Sequence, residues 1–282
     1  WTALASDPVK GFAHVVREDP VRADLLFLGT EFGLFVTLDG GRQWVQFTGK
    51  LPPVAVNDIS IHPRESDVIL ATHGRGVYII DDITPLRKIT PTLLESDIAL
   101  LDSQPSKLRF GSSLQDFPGD DEFVGANPPD VAYITYYLRE RHVKGDFKIE
   151  VYDAAKKLVT TLPAGKRRGI NRVEWPMRLS PPKVPAGAQI EGGSIFGPLV
   201  PEGTYTVKLL KDGKEIVGTV TLVGDPSLSH SPKDRLLQQQ TAMKLYQSLE
   251  LLGFVGASVK DLRDQIDERL KGLKSDDPVA RN

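Results

Sequence analysis

Apolar residues in the first third of the chain fall in short runs, each closed by Gly, Pro, Asp or Asn. Runs at 13–17, 25–29, 34–38 and 43–48 predict four strands joined by tight turns, and runs at 58–62, 68–72 and 77–80 predict three more. Two of them, Leu25-Leu26-Phe27-Leu28 and Val68-Ile69-Leu70-Ala71, are apolar at every position, the pattern of strands covered on both faces. A sheet built from such strands cannot bury both faces by itself.

The two stretches are copies of each other. Residues 24–39 superpose on 67–82 at an offset of 43, and the same offset sets Pro20 on Pro63, Gly33 on Gly76, Trp1 on Trp44 and Leu4 on Phe47. A period of about 40–50 residues carrying several short strands is the signature of propeller blades. On this reading residues 1–5 are the closing strand of a blade whose first three strands lie elsewhere. A ring needs at least about four blades, so the chain is expected to be a fragment or one piece of an assembly. The remaining propeller blades, from the same parent chain or another chain, are its expected partners.

Beyond residue 82 the pattern changes. Residues 83–102 form a connecting stretch with room for one strand at 86–89, and 111–129 is rich in Gly, Pro and acids. The cluster Asp116, Asp120, Asp121 and Glu122 lacks the alternating-ligand spacing of a calcium loop, so a solvated loop is expected and no metal. From 131 onward, runs at 131–137, 147–152, 157–161, 170–175, 204–209 and 215–222 predict short strands, with Asp212-Gly213 as a hairpin turn. About seven strands in roughly 120 residues indicate a sandwich, with Trp175 and Tyr205 in its core. The tail then shifts to helical spacing. Ser231-Pro232 and Asp234 mark a helix start, Leu236, Met243, Tyr246 and Leu249 share a face, and Ser258 with Asp261 repeats the capping logic. Val259, Leu262, Ile266, Leu270 and Leu273 recur at three-four spacing, which predicts a helical hairpin joined near 253–256, its stripe serving as core or docking surface.

The expected fold class is therefore mainly β: terminal blades of a β-propeller (1–90), a linker leading into the sandwich (91–130), an Ig-like β-sandwich (131–225) and a C-terminal α-helical hairpin (231–275). Composition narrows the function. The 35 basic and 37 acidic side chains are spread along the chain, a net charge of -2, so no nucleic-acid partner is expected. No apolar run reaches the roughly 18–20 residues of a bilayer span, so no transmembrane segment is expected. The absence of Cys excludes disulfides and Cys-based zinc or redox centres. No cofactor is expected either.

One motif carries chemistry of a structural kind. Thr37-Leu-Asp39-Gly-Gly41-Arg-Gln-Trp44 fits the Asp-box pattern Ser/Thr-x-Asp-x-Gly-x-x-Trp. The Asp39 carboxylate can accept backbone N–H groups within the turn, Gly41 permits positive φ, and Trp44 offers a large apolar face. Ligands are expected at the opposite rim, in the turns 29–33 and 72–76, where Glu31, Phe32, His73 and Arg75 are the candidate ligand-binding residues. Two readings stay open there: these side chains pin the loops 7–12 and 50–57, or they meet a ligand.

The segments Glu18-Asp-Pro20, Phe27 to Gly33, the Asp-box, Ala71-Thr-His-Gly-Arg-Gly76 and Asp81-Asp82 together resemble the end of the large bacterial sortilin-like, Asp-box (BNR) propeller proteins often labelled glycosyl hydrolases. Ile149-Glu-Val-Tyr-Asp-Ala154, Gly169-Ile-Asn-Arg-Val-Glu-Trp175 and 201–209 are similar to the flagellar-hook-capping-type Ig-like module that follows such propellers. The resemblance implies an extracytoplasmic bacterial protein, periplasmic, cell-surface or secreted. It also implies protein and peptide binding, as in sortilin, or glycan hydrolysis, as in xyloglucan-cleaving propellers and sialidases. Such glycosidases need paired carboxylates, and sialidases an arginine triad with a tyrosine nucleophile. Only Glu31 and Arg75 fall on the expected rim, so no family catalytic residue carries over to a position here. The preferred expectation is a non-catalytic interaction or scaffold part binding protein, peptide or glycan. The alternative is the C-terminal part of a glycoside hydrolase, xyloglucanase- or sialidase-like, with its catalytic residues mostly outside this chain.

Overall fold

The short apolar runs do become strands, and their turns join them in order. The computed structural model describes residues 4, 7–109, 129–184, 196–226 and 230–271; Trp1, the acidic group at 116–122 and Leu273 lie outside the described residues. The first repeat is an antiparallel sheet of β1 (Ala13–Glu18), β2 (Leu26–Thr30), β3 (Gly33–Thr37) and β4 (Val45–Gln46), paired in that sequence. The second contains β5 (Val56–Ile61), β6 (Val68–Thr72) and β7 (Val77–Ile80), again paired in chain order. Both first strands are irregular at the same place, between Ala13 and Val15 and between Val56 and Asp58.

The ladders also correct the superposition of the two copies. Leu28 pairs with Val16 and Phe35, whereas it is Leu70, not Ala71, that pairs with Ile59 and Tyr78. Leu26 and Leu28 are therefore the equivalents of Val68 and Leu70. The second repeat is one residue shorter before β6 and one longer in the turn after it. Because side chains alternate along a strand, that single residue exchanges the two faces.

The exchange explains how the sheets stack. Leu25, Phe27 and Leu34 on one face of the first sheet share a core with Val56, Ile59, Val68 and Leu70 of the second. Leu26, Leu28, Phe35 and Trp44 on the other face form a separate core with Val9. The second sheet thus meets the first through the face that corresponds to Leu26, Leu28 and Phe35, a head-to-tail contact of unlike faces. Gly29 makes the approach close: a Cβ there would lie 2.5 Å from the Val56 carbonyl oxygen and 2.9 Å from Val15 Cγ1. The remaining face of the second sheet is open. Val77 is 65% exposed, while its equivalent Leu34 is 0% exposed.

A buried ion pair ties both repeats to the segment that follows. Asp19, in the turn after β1, has a fully buried side chain, and its Oδ2 accepts the Val21 and Arg22 N–H groups at 3.2 and 2.8 Å. Arg87 donates from Nη2 and Nε to Asp19 at 2.7–3.2 Å and from Nη1 to the Ser66 hydroxyl at 2.8 Å. Arg22 donates to the carbonyls of Leu38, Leu86 and Ile89 at 2.7–3.0 Å. Those last acceptors sit at the end of α1 (Thr84–Arg87), which is followed by α2 (Pro91–Glu95). The strand expected at 86–89 is absent: Pro85 and Pro91 each open a helical turn, where a fixed φ and a missing N–H cost nothing.

Two more sheets share a third core. One holds β8 (Ile98–Leu101), β10 (Ala132–Leu138) and β13 (Gly169–Trp175), in the order β13-β10-β8. The other holds β9 (Ser106–Leu108), β11 (Phe147–Tyr152), β12 (Leu158–Pro163), β14 (Gly203–Lys211) and β15 (Lys214–Gly224), in the order β12-β11-β14-β15-β9. Ile134, Tyr136 and Trp175 of the first meet Ile149, Val151, Val207 and Leu209 of the second. Trp175 lies edge-on to Tyr205 at 5.1 Å between ring centres, and the Tyr205 hydroxyl donates to the Pro201 carbonyl at 2.7 Å. β8 and β9 arise within the stretch expected to lead into the sandwich.

The helical hairpin is not formed. Residues Pro232–Lys271 make one helix of 40 residues, α3. Neither Gly253 nor Gly256, the expected joint, takes the positive φ of a helix end. Gly253 is instead a point of contact, where a Cβ would lie 2.4 Å from the Lys183 carbonyl oxygen. The Ser258 hydroxyl donates back to Phe254 O at 2.9 Å and caps nothing. The chain is thus mainly β, with several sheets and a C-terminal helix.

Two outcomes follow from this packing. Gly29→Ala is expected to lower stability in urea unfolding by about 1–3 kcal/mol, because β5 must retreat from the added methyl. Asp19→Ala is expected to cost about 3–5 kcal/mol by stranding Arg87, and the Asp19→Ala/Arg87→Met pair less than the sum of the single changes.

Candidate functional site

The Asp-box turn between β3 and β4 is closed upon itself. The Thr37 hydroxyl donates to Asp39 Oδ1 at 2.7 Å and accepts the Gly41 N–H at 3.1 Å, while Asp39 Oδ1 also accepts the Gln43 N–H at 2.9 Å. Gly40 and Gly41 take φ of 70° and 93°, the left-handed conformation the turn needs. Burial alone would raise the Asp39 pKa. The Gln43 N–H, the Thr37 hydroxyl, the Arg42 N–H and the Arg42 charge outweigh it and hold the carboxyl below its usual range. Trp44 is buried, and its indole N–H donates to Leu4 O at 2.8 Å.

The opposite turns hold the four candidate residues. Glu31 and Phe32 form the two-residue turn between β2 and β3, and both meet the loop before β1. Glu31 Oε2 accepts the Phe12 N–H at 3.2 Å, and a Cβ on Gly11 would touch the Phe32 ring at 2.8 Å. Phe32 nevertheless remains 54% exposed, and Phe12 beside it is 76% exposed. His73 and Arg75 lie exposed in the β6–β7 turn, which the Thr72 hydroxyl closes by donating to Gly76 O at 2.6 Å. The His73 backbone N–H donates to Ala55 O at 2.9 Å. Neither the His73 nor the Arg75 side chain makes a hydrogen bond or ion pair among the described residues. Loop pinning therefore falls to the Glu31 carboxylate and the His73 backbone. No hydrogen bond joins the two turns among the described residues.

Sequence reasoning missed Phe12, because a single aromatic before a strand has the look of any core residue. It also missed a cleft of about 590 Å³ between α3 and the start of β14, lined among others by Arg109, Arg178, Leu199, Glu202, Arg235 and Leu236. Arg235 Nε donates to Glu202 Oε1 at 2.5 Å, and Arg178 Nη1 to Gly197 O at 3.0 Å. These residues come from four separate stretches, so no motif could announce them.

The comparisons with known proteins follow the geometry only distantly. No protein-family model matches the chain, and no curated protein matches it in sequence. Among solved structures it is similar to the extracellular domain of a putative one-component system of B. thetaiotaomicron, at 13% identity and a TM-score of 0.20. That alignment covers 78% of this chain but only 26% of the other, and overlap so low shows neither a common fold nor a common role.

The Asp-box geometry has a pH signature. A carboxyl held low in the folded state adds stability above its unfolded pKa, and that stability is lost as pH falls through the folded value. Asp39→Asn is expected to destabilise at neutral pH by about 1 kcal/mol. Thermal melts of variant and parent should converge in strong acid.

Proposed function

We propose that this chain is the non-catalytic interaction part of an extracytoplasmic bacterial protein. Its first two sheets are blades of a sortilin-like Asp-box propeller, and the sheets built from residues 98–224 are an Ig-like sandwich. The head-to-tail stack of repeated sheets, with a recurrent bulge and an open outer face, supports the blade reading. The Tyr205 hydroxyl bonded back to Pro201, with Trp175 packed on its ring, supports the Ig-like one. The extracytoplasmic placement rests on the resemblance of the repeat motifs.

The ligand site of this proposal is the rim of the β2–β3 and β6–β7 turns. The observation that carries it is the pair of exposed aromatics, Phe12 and Phe32, held in place by the Glu31 carboxylate and the close approach to Gly11. Exposed rings on a fixed support present a face for sugar rings or apolar peptide side chains at little entropic cost. The His73 and Arg75 side chains, which make no hydrogen bond or ion pair among the described residues, add an imidazole and a positive charge. Glu31 is engaged by the Phe12 N–H, which suits a support better than an acid catalyst.

Glycan and peptide arrays on the purified chain test the reading. A Phe12→Ala/Phe32→Ala variant is expected to keep the parent melting temperature and to bind its array hit about tenfold more weakly. Unaltered binding by that variant, or sugar release from a polysaccharide panel, would overturn the proposal.

A further inference from the structure

Helix α3 carries an apolar row that stays in water. Leu245, Leu252, Val259 and Ile266 follow one another at intervals of seven, and Ser248, Val255 and Leu262 repeat the interval three residues later. The six apolar members of this pair of rows are 48–64% exposed. They lie on the side of the helix opposite Arg235, Glu250 and Gly253, which touch the rest of the chain. Beyond Gly253 the side-chain bonds of the helix, Ser258 to Phe254 O, Gln265 to Asp261 and Arg263 to Asp267, are all internal to it among the described residues. Lys260, Asp261, Asp264, Asp267 and Glu268 fall away from the apolar rows, so this half is amphipathic with its apolar side unsupported.

The interval itself says what kind of surface fits. A straight helix drifts by about 20° per heptad against a strict seven-residue repeat, and the drift is taken up when two helices wind around each other. From Leu245 to Ile266 the seam runs roughly 30 Å at the helical rise. Each of its side chains needs a hole formed by four residues of a facing helix with the same period. Within the chain α1 and α2 have four and five residues, too few for one heptad. The matching seam is that of α3 in another copy.

We propose that two copies of this chain associate through α3 as a parallel two-stranded coiled coil, with Leu245, Leu252, Val259 and Ile266 at the first seam position and Ser248, Val255 and Leu262 at the second. β-Branched Val259 and Ile266 at the first position, with Leu262 at the second between them, form the combination that favours two parallel strands. In that arrangement Lys244 and Ser258 on one flank meet Leu249 and Arg263 on the other, so no like charges oppose. The body of each copy lies on the far side of its own helix and leaves the seam clear. The contact is isologous and closes at two copies. Neither the sheets nor the aromatic rim takes part in it.

Sedimentation velocity of the full chain across micromolar to submillimolar concentration tests this, with the mass expected to rise to that of two copies and no further. Leu262→Lys should weaken association about a hundredfold or more, since both helices lose a seam side chain and gain a charge. Near-ultraviolet circular dichroism should stay unchanged in that variant, showing the sheets intact. Asp264→Lys, on the side away from the seam, should leave the mass as it is. The chain has no Cys of its own, so Ser248→Cys supplies a single thiol on the seam. Parallel helices in register bring the two thiols together, and mild oxidation should yield a disulfide-linked dimer. A monomer at every concentration, a dimer that survives Leu262→Lys, or a dimer whose Ser248→Cys form does not cross-link would overturn the proposal.

Discussion

The contact of the Phe27–Leu34 face with the Val68–Leu70 face is the constraint from which the N-terminal architecture follows. Two small sheets of strands only two to six residues long are not stable singly in water. Stacked, they bury Leu25, Phe27, Leu34, Val68 and Leu70, each burial worth about 1.5–3 kcal/mol. Directional bonds then fix what is already driven together. Arg17 Nε, for instance, donates to Ile59 O at 2.7 Å across the stack.

The Asp19–Arg87 pair sets where the chain leaves the stack. A buried pair gains little net stability unless every lone pair and N–H is met. Here Asp19 takes two backbone N–H groups besides Arg87, and Ser66 takes the remaining Arg87 nitrogen along with Gln104 Nε2 at 2.9 Å. The closed network holds α1 against both repeats. From there Asp82 Oδ2 accepts the Gln104 N–H, Lys107 pairs with Glu65 at 3.0 Å, and Arg172 reaches the carbonyls of Asp81 and Asp82. The sheets downstream are thereby anchored to the second repeat.

The Asp-box turn of the first repeat satisfies its polar atoms internally, while the β2–β3 turn and the loop before β1 leave two aromatic rings exposed and the β6–β7 turn leaves an imidazole and a guanidinium exposed. Helix α3 follows a different logic. It touches the body through Arg235, Glu250 and Gly253, then extends with Val259, Leu262 and Ile266 exposed.

Local periodicity determined what depends on neighbours in sequence: strand positions within a residue or two, the repeat, the Asp-box turn, the aromatic core at Trp175 and Tyr205, and a helical tail beginning after Ser231. Glu31, Phe32, His73 and Arg75 were legible as turn residues, since Gly-flanked hairpins expose what they carry. What depends on distant residues was not legible. The one-residue slip of β6 leaves the run Val68-Ile69-Leu70-Ala71 apolar in either register, so only the pairing with β5 and β7 decided which face is core. Gly253 reads as a hinge in one dimension and proves to be a contact, because the Lys183 carbonyl that needs the space lies some 70 residues away. Proximity of this kind is a property of packing, which a single strand of text does not contain.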